Sequence, residues 1–464
     1  MRGSWLVLLV ACGCDSAGDD DGTTSVVDDL VPTDDTGTTD TDVPLPDLAA
    51  NALLALHDDM STLVLASWDQ LVETDASWLS WEIDGETFTS PVVARVVGPG
   101  TEVVLGIPTE TPIDVVLHGT MGDTELTWPL GTITTGSLPG DLPAPLIGTM
   151  DPLLHRPERW LLASVDVGPS PFFGPCYTLV LDDLGRIVWY RKTSGSRLTW
   201  QTQVSRRGGY VLIDQSTVYT FGGTPELTRL TLDLAQQEDI VIPSWGLTYD
   251  ELDDGSILYD EAESGWEFHL TKLDPDGTQT RLWSCWPWME PFTSAFWGCA
   301  PNTVHWDPLR NTVLWSMFTI SSVVELSLDG AMLAEWGGYP EGWTFDPPQS
   351  AFELQHYPGF SDDGTLVVST HSLDMTEQWA REYEVDDANM VLHEVWSAQT
   401  PYWAEYAGQA QKLPSGNVLW QIGTTGAVVE ITPDGATVWE IGWSGHLVGN
   451  MTPVADLYAL TTGW

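Results

Sequence analysis

The chain has 464 residues, with 16 basic residues against 67 acidic ones and a formal net charge of −51. A surface this acidic repels phosphate backbones and excludes nucleic acid as a partner, while the length allows more than one domain and a sizeable core. Trp is abundant at 25, and 43 Gly with 31 Pro favour many short strands joined by tight turns.

At the N-terminus, Arg2 precedes the apolar run Trp5 to Val10, which is too short to span a bilayer and reads as a targeting segment. Leu9-Val10-Ala11-Cys12 fits a bacterial lipobox, so residues 1–12 are predicted to be a lipoprotein signal that leaves Cys12 as the lipidated first residue. Gly13 is not an inner-membrane retention signal, so the expected location is the cell envelope, at the outer membrane. Residues 13–47 are dominated by Asp, Thr, Gly, Ser and Val without Lys or Arg. Such a segment cannot bury enough apolar surface to offset the entropy of ordering, so an extended, disordered acidic tether is predicted.

Residues 48–142 hold runs that alternate apolar and polar residues, among them T-L-V-L-A-S-W, A-S-W-L-S-W-E-I-D-G and P-I-D-V-V-L-H-G. That period predicts half-buried antiparallel strands, and their spacing predicts a small immunoglobulin- or fibronectin-like sandwich. From Pro143 the chain repeats a unit of strand, Asp-Gly-like turn and second strand ending in an aromatic residue. Instances are L-D-D-L-G-R-I-V-W-Y from Leu181, E-L-D-D-G-S-I-L-Y from Glu251 and K-L-D-P-D-G-T-Q-T-R-L-W from Lys272. Further copies begin at Leu326, Ser361, Lys412 and Glu430. Recurrence without helical periodicity predicts a β-propeller over 143–464, with about six or seven blades at roughly 40–50 residues each. The fold class is therefore all-β.

Cys285 and Cys299 bracket a Trp-rich loop of suitable closing length and are predicted to pair, which leaves Cys176 buried as a thiol. No Cys/His spacing matches a zinc site and no loop matches a calcium motif, so neither a metal nor another cofactor is predicted.

The stretch from Trp297 carries W-G-C-A-P-N-T-V-H-W-D, then F-E-L-Q-H-Y-P-G-F-S-D-D-G, and the chain closes with A-Q-K-L-P-S-G-N-V-L-W and G-A-V-V-E-I-T-P-D-G-A-T-V-W-E-I. As a set these motifs resemble the arylsulfotransferase family of β-propellers, over most of the chain from Pro143 onward. The resemblance implies six blades. It also implies sulfuryl transfer from an aryl sulfate to a phenol through a sulfated histidine, without a nucleotide donor. That chemistry needs a neutral imidazole to attack sulfur, and donors or cations aimed at the oxygens where charge accumulates. The family's nucleophile motif is met by Gln355-His356, followed by Tyr357 where the family often has Asp. Its H-x-N motif reads Ala300-Pro301-Asn302, which keeps the asparagine as an oxyanion donor and loses the histidine. Its S-x-R motif reads Ser316-Met317-Phe318, so Phe318 stands where the family has arginine. His371 matches a funnel position, either as a packed histidine or as the acid, a role that Tyr357 could fill instead, and Phe318 and Tyr357 are the expected substrate-binding residues. Strand alternation turns His305 away from the axis, opposite to Asn302. Arg310 falls in a peripheral turn, and Arg381 in an ion pair. The expected function is thus an arylsulfotransferase-like protein with reduced or lost activity, its substrates being small aryl sulfates and phenols. The alternative is a non-catalytic, lipid-anchored propeller that binds a ligand or protein partner.

Overall fold

A computed structural model of the chain describes residues 45–464, apart from 157, 170–173, 194–196, 217–224, 264–266, 290–298, 338–342 and 375. Cys12 and nearly all of the predicted tether lie outside the described residues. Among the described residues the one α-helix is the short Cys285–Met289, and strand dominates everything else.

The repeated turn motif sets the architecture. Each of its seven copies joins two neighbouring antiparallel strands, as between Trp245–Glu251 and Ile257–Glu263. In that hairpin Leu252 N–H donates to Ser256 O at 2.9 Å, and Gly255 N–H donates to Leu252 O at 2.9 Å. Gly255 sits at φ +83° while Asp253 and Asp254 stay in the ordinary region, so only the glycine needs left-handed freedom.

Among the described residues the repeat region forms six sheets of four antiparallel strands, two of them extended by an edge strand, and the seven hairpins fall in five of these; the second sheet holds none. Each sheet begins at an inner strand and meanders outward. The inner strands of the second to sixth sheets are Thr202–Val204, Trp245–Glu251, Pro301–Asp307, His356–Phe360 and Gln409–Lys412. The first sheet takes its inner strand from the C-terminus: Leu447–Val448 and Thr452–Val454 pair with Trp160–Asp166. Leu146–Met150 meanwhile adds to the outer edge of the sixth sheet, against Thr437–Gly442. The ring is thereby closed by strands from both ends of the repeat region, and the fold is a β-propeller. Gly449 lies at this seam, where an added Cβ would meet Ser164 Oγ at 2.1 Å and Trp200 O at 2.4 Å.

Radiating sheets diverge outward and leave wedges, which large flat side chains fill. Trp189, Trp245, Trp315, Trp336, Trp420 and Trp439 are fully buried. Several bond a neighbouring sheet through the indole N–H, as Trp420 Nε1 does to Ser369 Oγ at 3.1 Å and Trp439 Nε1 to Asp183 O at 3.0 Å. Truncating one such Trp costs about 3–5 kcal/mol.

Upstream, two further sheets share one apolar core that includes Leu48, Val64, Trp68, Leu79, Trp81 and Leu117. Their strand orders, by residue range, are 49–57, 60–70, 98–104 and 86–89, 74–83, 112–121, 124–134. Ala49–His57 is a strand that its nearly continuous apolar sequence, A-A-N-A-L-L-A-L-H, does not announce by alternation. The pair of sheets docks on the propeller through Met60, Leu63 and Leu105, and through Tyr458, whose hydroxyl donates to Val103 O at 3.0 Å. Cys285 and Cys299 form the predicted disulfide and Cys176 is a buried free thiol.

Candidate functional site

The six inner strands converge on a cavity of about 270 Å³, and every sheet contributes to its wall. Gln201 and Gln203 come from the second sheet, Asp250 from the third, Thr303 and His305 from the fourth and Tyr357 from the fifth. Gln409 and Gln411 come from the sixth, with Asn450 and Thr452 from the closing segment of the first. Hydrogen bonds tie these strands around the axis. Gln201 Nε2 donates to Tyr249 O at 2.7 Å, Trp306 N–H to Asp250 Oδ2 at 2.7 Å, and Tyr357 N–H to Thr303 Oγ1 at 2.9 Å. Met451 N–H donates to Gln409 Oε1 at 2.8 Å, and Gln411 Nε2 to Met451 O at 2.8 Å.

One ion pair, Arg206 with Asp250, is built into the wall. Asp250 accepts from Arg206 Nε and Nη2 at 3.4 and 3.2 Å, and its Oδ2 lies 3.3 Å from His305 Nδ1. Burial pushes the Asp250 carboxyl up, but Arg206, then His305 and the Trp306 amide, outweigh it and hold the group below the usual carboxylate range. Arg206 also donates to Trp306 O at 2.9 Å. His305 thus faces the axis, against the expectation from strand parity. The cause is a register shift between Pro301 and Thr303, which leaves Asn302 as the unpaired extra residue and reverses the side-chain alternation beyond it.

His356 opens its strand, beside the start of the strand that holds Asn302. It is 8% exposed, and its ring lies 5.2 Å from Phe318 and 5.5 Å from His371, centroid to centroid. Nδ1 sits 3.1 Å from Leu354 O and must donate to that carbonyl, which leaves the imidazole lone pair on Nε2. Burial and then the neighbouring His371 push its pKa down to about 3, so it is neutral. His371 is buried too, with Nε2 donating to Ala407 O at 3.2 Å, and burial lowers its pKa. Asn302 turns its amide inward and donates Nδ2–H to Gln355 O at 2.6 Å. Phe318 and His371 thus flank the His356 ring, and one N–H of the Asn302 amide is taken by the Gln355 carbonyl beside it.

Tyr357 belongs to the axial cavity rather than to this cluster. Asn450, from the closing segment of the first sheet, lines the same cavity. Burial raises the Tyr357 pKa well above the ordinary phenol value, and the phenol stays protonated.

Backbone strain concentrates around His356. Ala300, Ser321, Leu354, Tyr357 and Ala407 have φ of +36°, +51°, +45°, +48° and +65°. They are linked to one another through the site: Leu354 N–H donates to Ser321 Oγ, and Phe318 N–H to Ala300 O. Left-handed conformations cost about 1–3 kcal/mol each for non-glycine residues and gather where function constrains the chain.

Arg310 and Arg381 are peripheral, paired with Glu325 and Glu394. The motif reading passed over Arg206, Asp250 and the four glutamines. Gln409/Gln411 carry a legible signal, two amides spaced by two on a short strand and hence on one face, and Gln201/Gln203 repeat the spacing from the residue just before their strand. Asp250 carries none, since it merges into the acidic turn that follows. Elsewhere Glu263, Glu267 and His269 bring ligand-type atoms within 4.8 Å of one another, with Arg281 paired to Glu263 at 3.0 Å.

A closed ring of sheets around a polar axial cavity defines the class, a β-propeller protein with two further β-sheets upstream. No family model and no curated protein matches the chain. Among solved structures, TolB from Acinetobacter baumannii is 10% identical over 75% of this chain and 80% of its own, at a TM-score of 0.45. The periplasmic gluconolactonase PpgL of Pseudomonas aeruginosa is 13% identical over 74% of this chain and 95% of its own, at a TM-score of 0.42. A protein of unknown function from Bacteroides caccae is 15% identical over 64% of this chain and all of its own, at 0.44. These likenesses are of overall fold and transfer no activity.

Proposed function

We propose that the chain is an arylsulfotransferase-like propeller of six blades over residues 143–464, preceded by an immunoglobulin- or fibronectin-like sandwich over 48–142, in which sulfuryl transfer is weak or absent. We further propose attachment to the cell envelope through Cys12 and the acidic tether. In the reaction, His356 Nε2 would attack sulfur, the ester S–O bond would break, and the phenolate would leave with the bonding pair. A phenol would then take the sulfuryl group from the histidine and lose its proton. The observation that carries the reading is the pairing of a neutral His356 with Phe318, 5.2 Å away, where the transition state needs a cation. Burial and then His371 keep the His356 ring neutral, against the Leu354 carbonyl that favours its protonated form. Losing one preorganised donor costs about 10²–10³ in rate. Here Asn302 is also committed to Gln355 O. The same losses suit the second reading, an anchored propeller that binds without catalysis.

The test is phenolate release from 4-nitrophenyl sulfate with phenol as acceptor, using the full chain. Wild type should give at most trace release, any of it lost in His356→Ala. Phe318→Arg should raise sulfate binding, because a guanidinium restores the missing charge. Robust wild-type turnover that His356→Ala abolishes would overturn the degenerate reading. Robust turnover that survives His356→Ala would remove the nucleophile.

A further inference from the structure

The axial cavity has a chemistry of its own, and we propose that it binds a small neutral molecule rich in hydroxyl groups, of monosaccharide or cyclitol size, held by His305, Gln409 and Gln411. This goes beyond the sulfotransferase reading and does not depend on His356.

Three observations carry it. The first is size: about 270 Å³ lies just below the range of pockets for drug-sized ligands and suits one small ring. The second is charge. The guanidinium and carboxylate in the wall face each other, and Arg206 divides its donors between Asp250 and Trp306 O. An ionic ligand would find each wall charge already matched, despite a chain charge of −51.

The third is the hydrogen-bonding pattern. Gln409 gives Oε1 to Met451 N–H, which leaves its amide NH₂ as a donor. Gln411 gives Nε2 to Met451 O, which leaves Oε1 as an acceptor. His305 directs Nδ1–H at Asp250, so its neutral form offers Nε2 as an acceptor, on a side chain that is 35% exposed. Donor and acceptors thus line one cavity, His305 from the fourth sheet and both glutamines from one strand of the sixth. A hydroxyl is the group that donates and accepts at once, and a polyol presents several in a row. Half of each glutamine amide is tied to the backbone at the ring closure, so the free half is already oriented, which lowers the entropic cost of binding.

The experiment is saturation-transfer NMR on the full chain with D-glucose, D-galactose and myo-inositol as probes, repeated on Gln411→Leu and on Gln409→Leu. The proposal expects saturable binding of at least one probe in the millimolar range or tighter, weakened about tenfold or more in either variant. Circular dichroism confirms that each variant is folded, and His305→Gln supplies a third wall change should one glutamine variant fail to fold. No saturable binding of any of the three probes would overturn the proposal. So would binding unchanged in the folded variants, or displacement of the probe by 4-nitrophenyl sulfate. Phe318→Arg should leave polyol binding unchanged, so this reading and the sulfotransferase reading fail separately.

Discussion

Replacing Asp250 with alanine should be among the most damaging single changes in the propeller. The carboxylate is 2% exposed and accepts from Arg206, from Trp306 N–H at 2.7 Å and from Glu251 N–H at 2.8 Å, with His305 Nδ1 at 3.3 Å. Its loss leaves the Arg206 guanidinium, itself 25% exposed, without its counter-charge and strands two backbone amides. Removing one partner of a buried pair costs about 3–5 kcal/mol. Asp250→Asn keeps an acceptor for the amides and should cost about 1.5–3 kcal/mol, the worth of hydrogen bonds to a charged group. Adding Arg206→Met to Asp250→Ala should recover part of the loss, because the uncompensated charge goes as well. The sign with pH follows from the depressed Asp250 pKa. The stabilisation is present above the unfolded carboxyl value near about 4 and is lost as pH falls through the folded value, so wild type and Asp250→Ala should converge in acid. Urea unfolding monitored by Trp fluorescence, at neutral and acid pH, reads all of this. A cost for Asp250→Ala below about 1 kcal/mol at neutral pH would refute the reasoning, since that is the worth of an exposed ion pair.

Three other outcomes are expected. Reducing the Cys285–Cys299 bond, whose partners are 14 residues apart, should destabilise the protein by about 3 kcal/mol, read as a lower urea midpoint in reductant. Asp260 is fully buried against Gly246, where an added Cβ would lie 2.2 Å from its Oδ2, and burial raises its carboxyl to about 7 despite amide bonds from Leu247 and Thr248. The folded chain then holds a proton that the unfolded chain releases, so this group's contribution falls as pH rises from about 4 to about 7. Asp260→Asn should flatten that part of the stability profile, and an unchanged slope would count against the assignment. Cys12→Ser should abolish acyl-chain incorporation and move the chain from the membrane fraction to the soluble one. Retention in the membrane without Cys12 would defeat the anchor proposal.

What the sequence by itself determined is local. The Asp-Gly turns are encoded within about ten residues, because one glycine in the left-handed region and the flanking alternation suffice to specify a hairpin. All seven marked turns are hairpins, and the cysteine pair is bonded. The placement of His356 and His371 on adjoining strands was also legible, since the order of the runs carries it. The direction of a side chain beyond Asn302 was not. One extra residue opposite Met317 and Ser316 reverses the alternation, and nothing in P-N-T-V-H distinguishes a bulged strand from a regular one. The axial cavity was likewise decided by tertiary structure. Arg206, Asp250, His305 and Gln411 lie far apart along the chain and meet only when the C-terminal segment completes the first sheet and closes the ring. Closure is a long-range event: it depends on how six twisted sheets pack around one axis, and no local window of sequence contains that information.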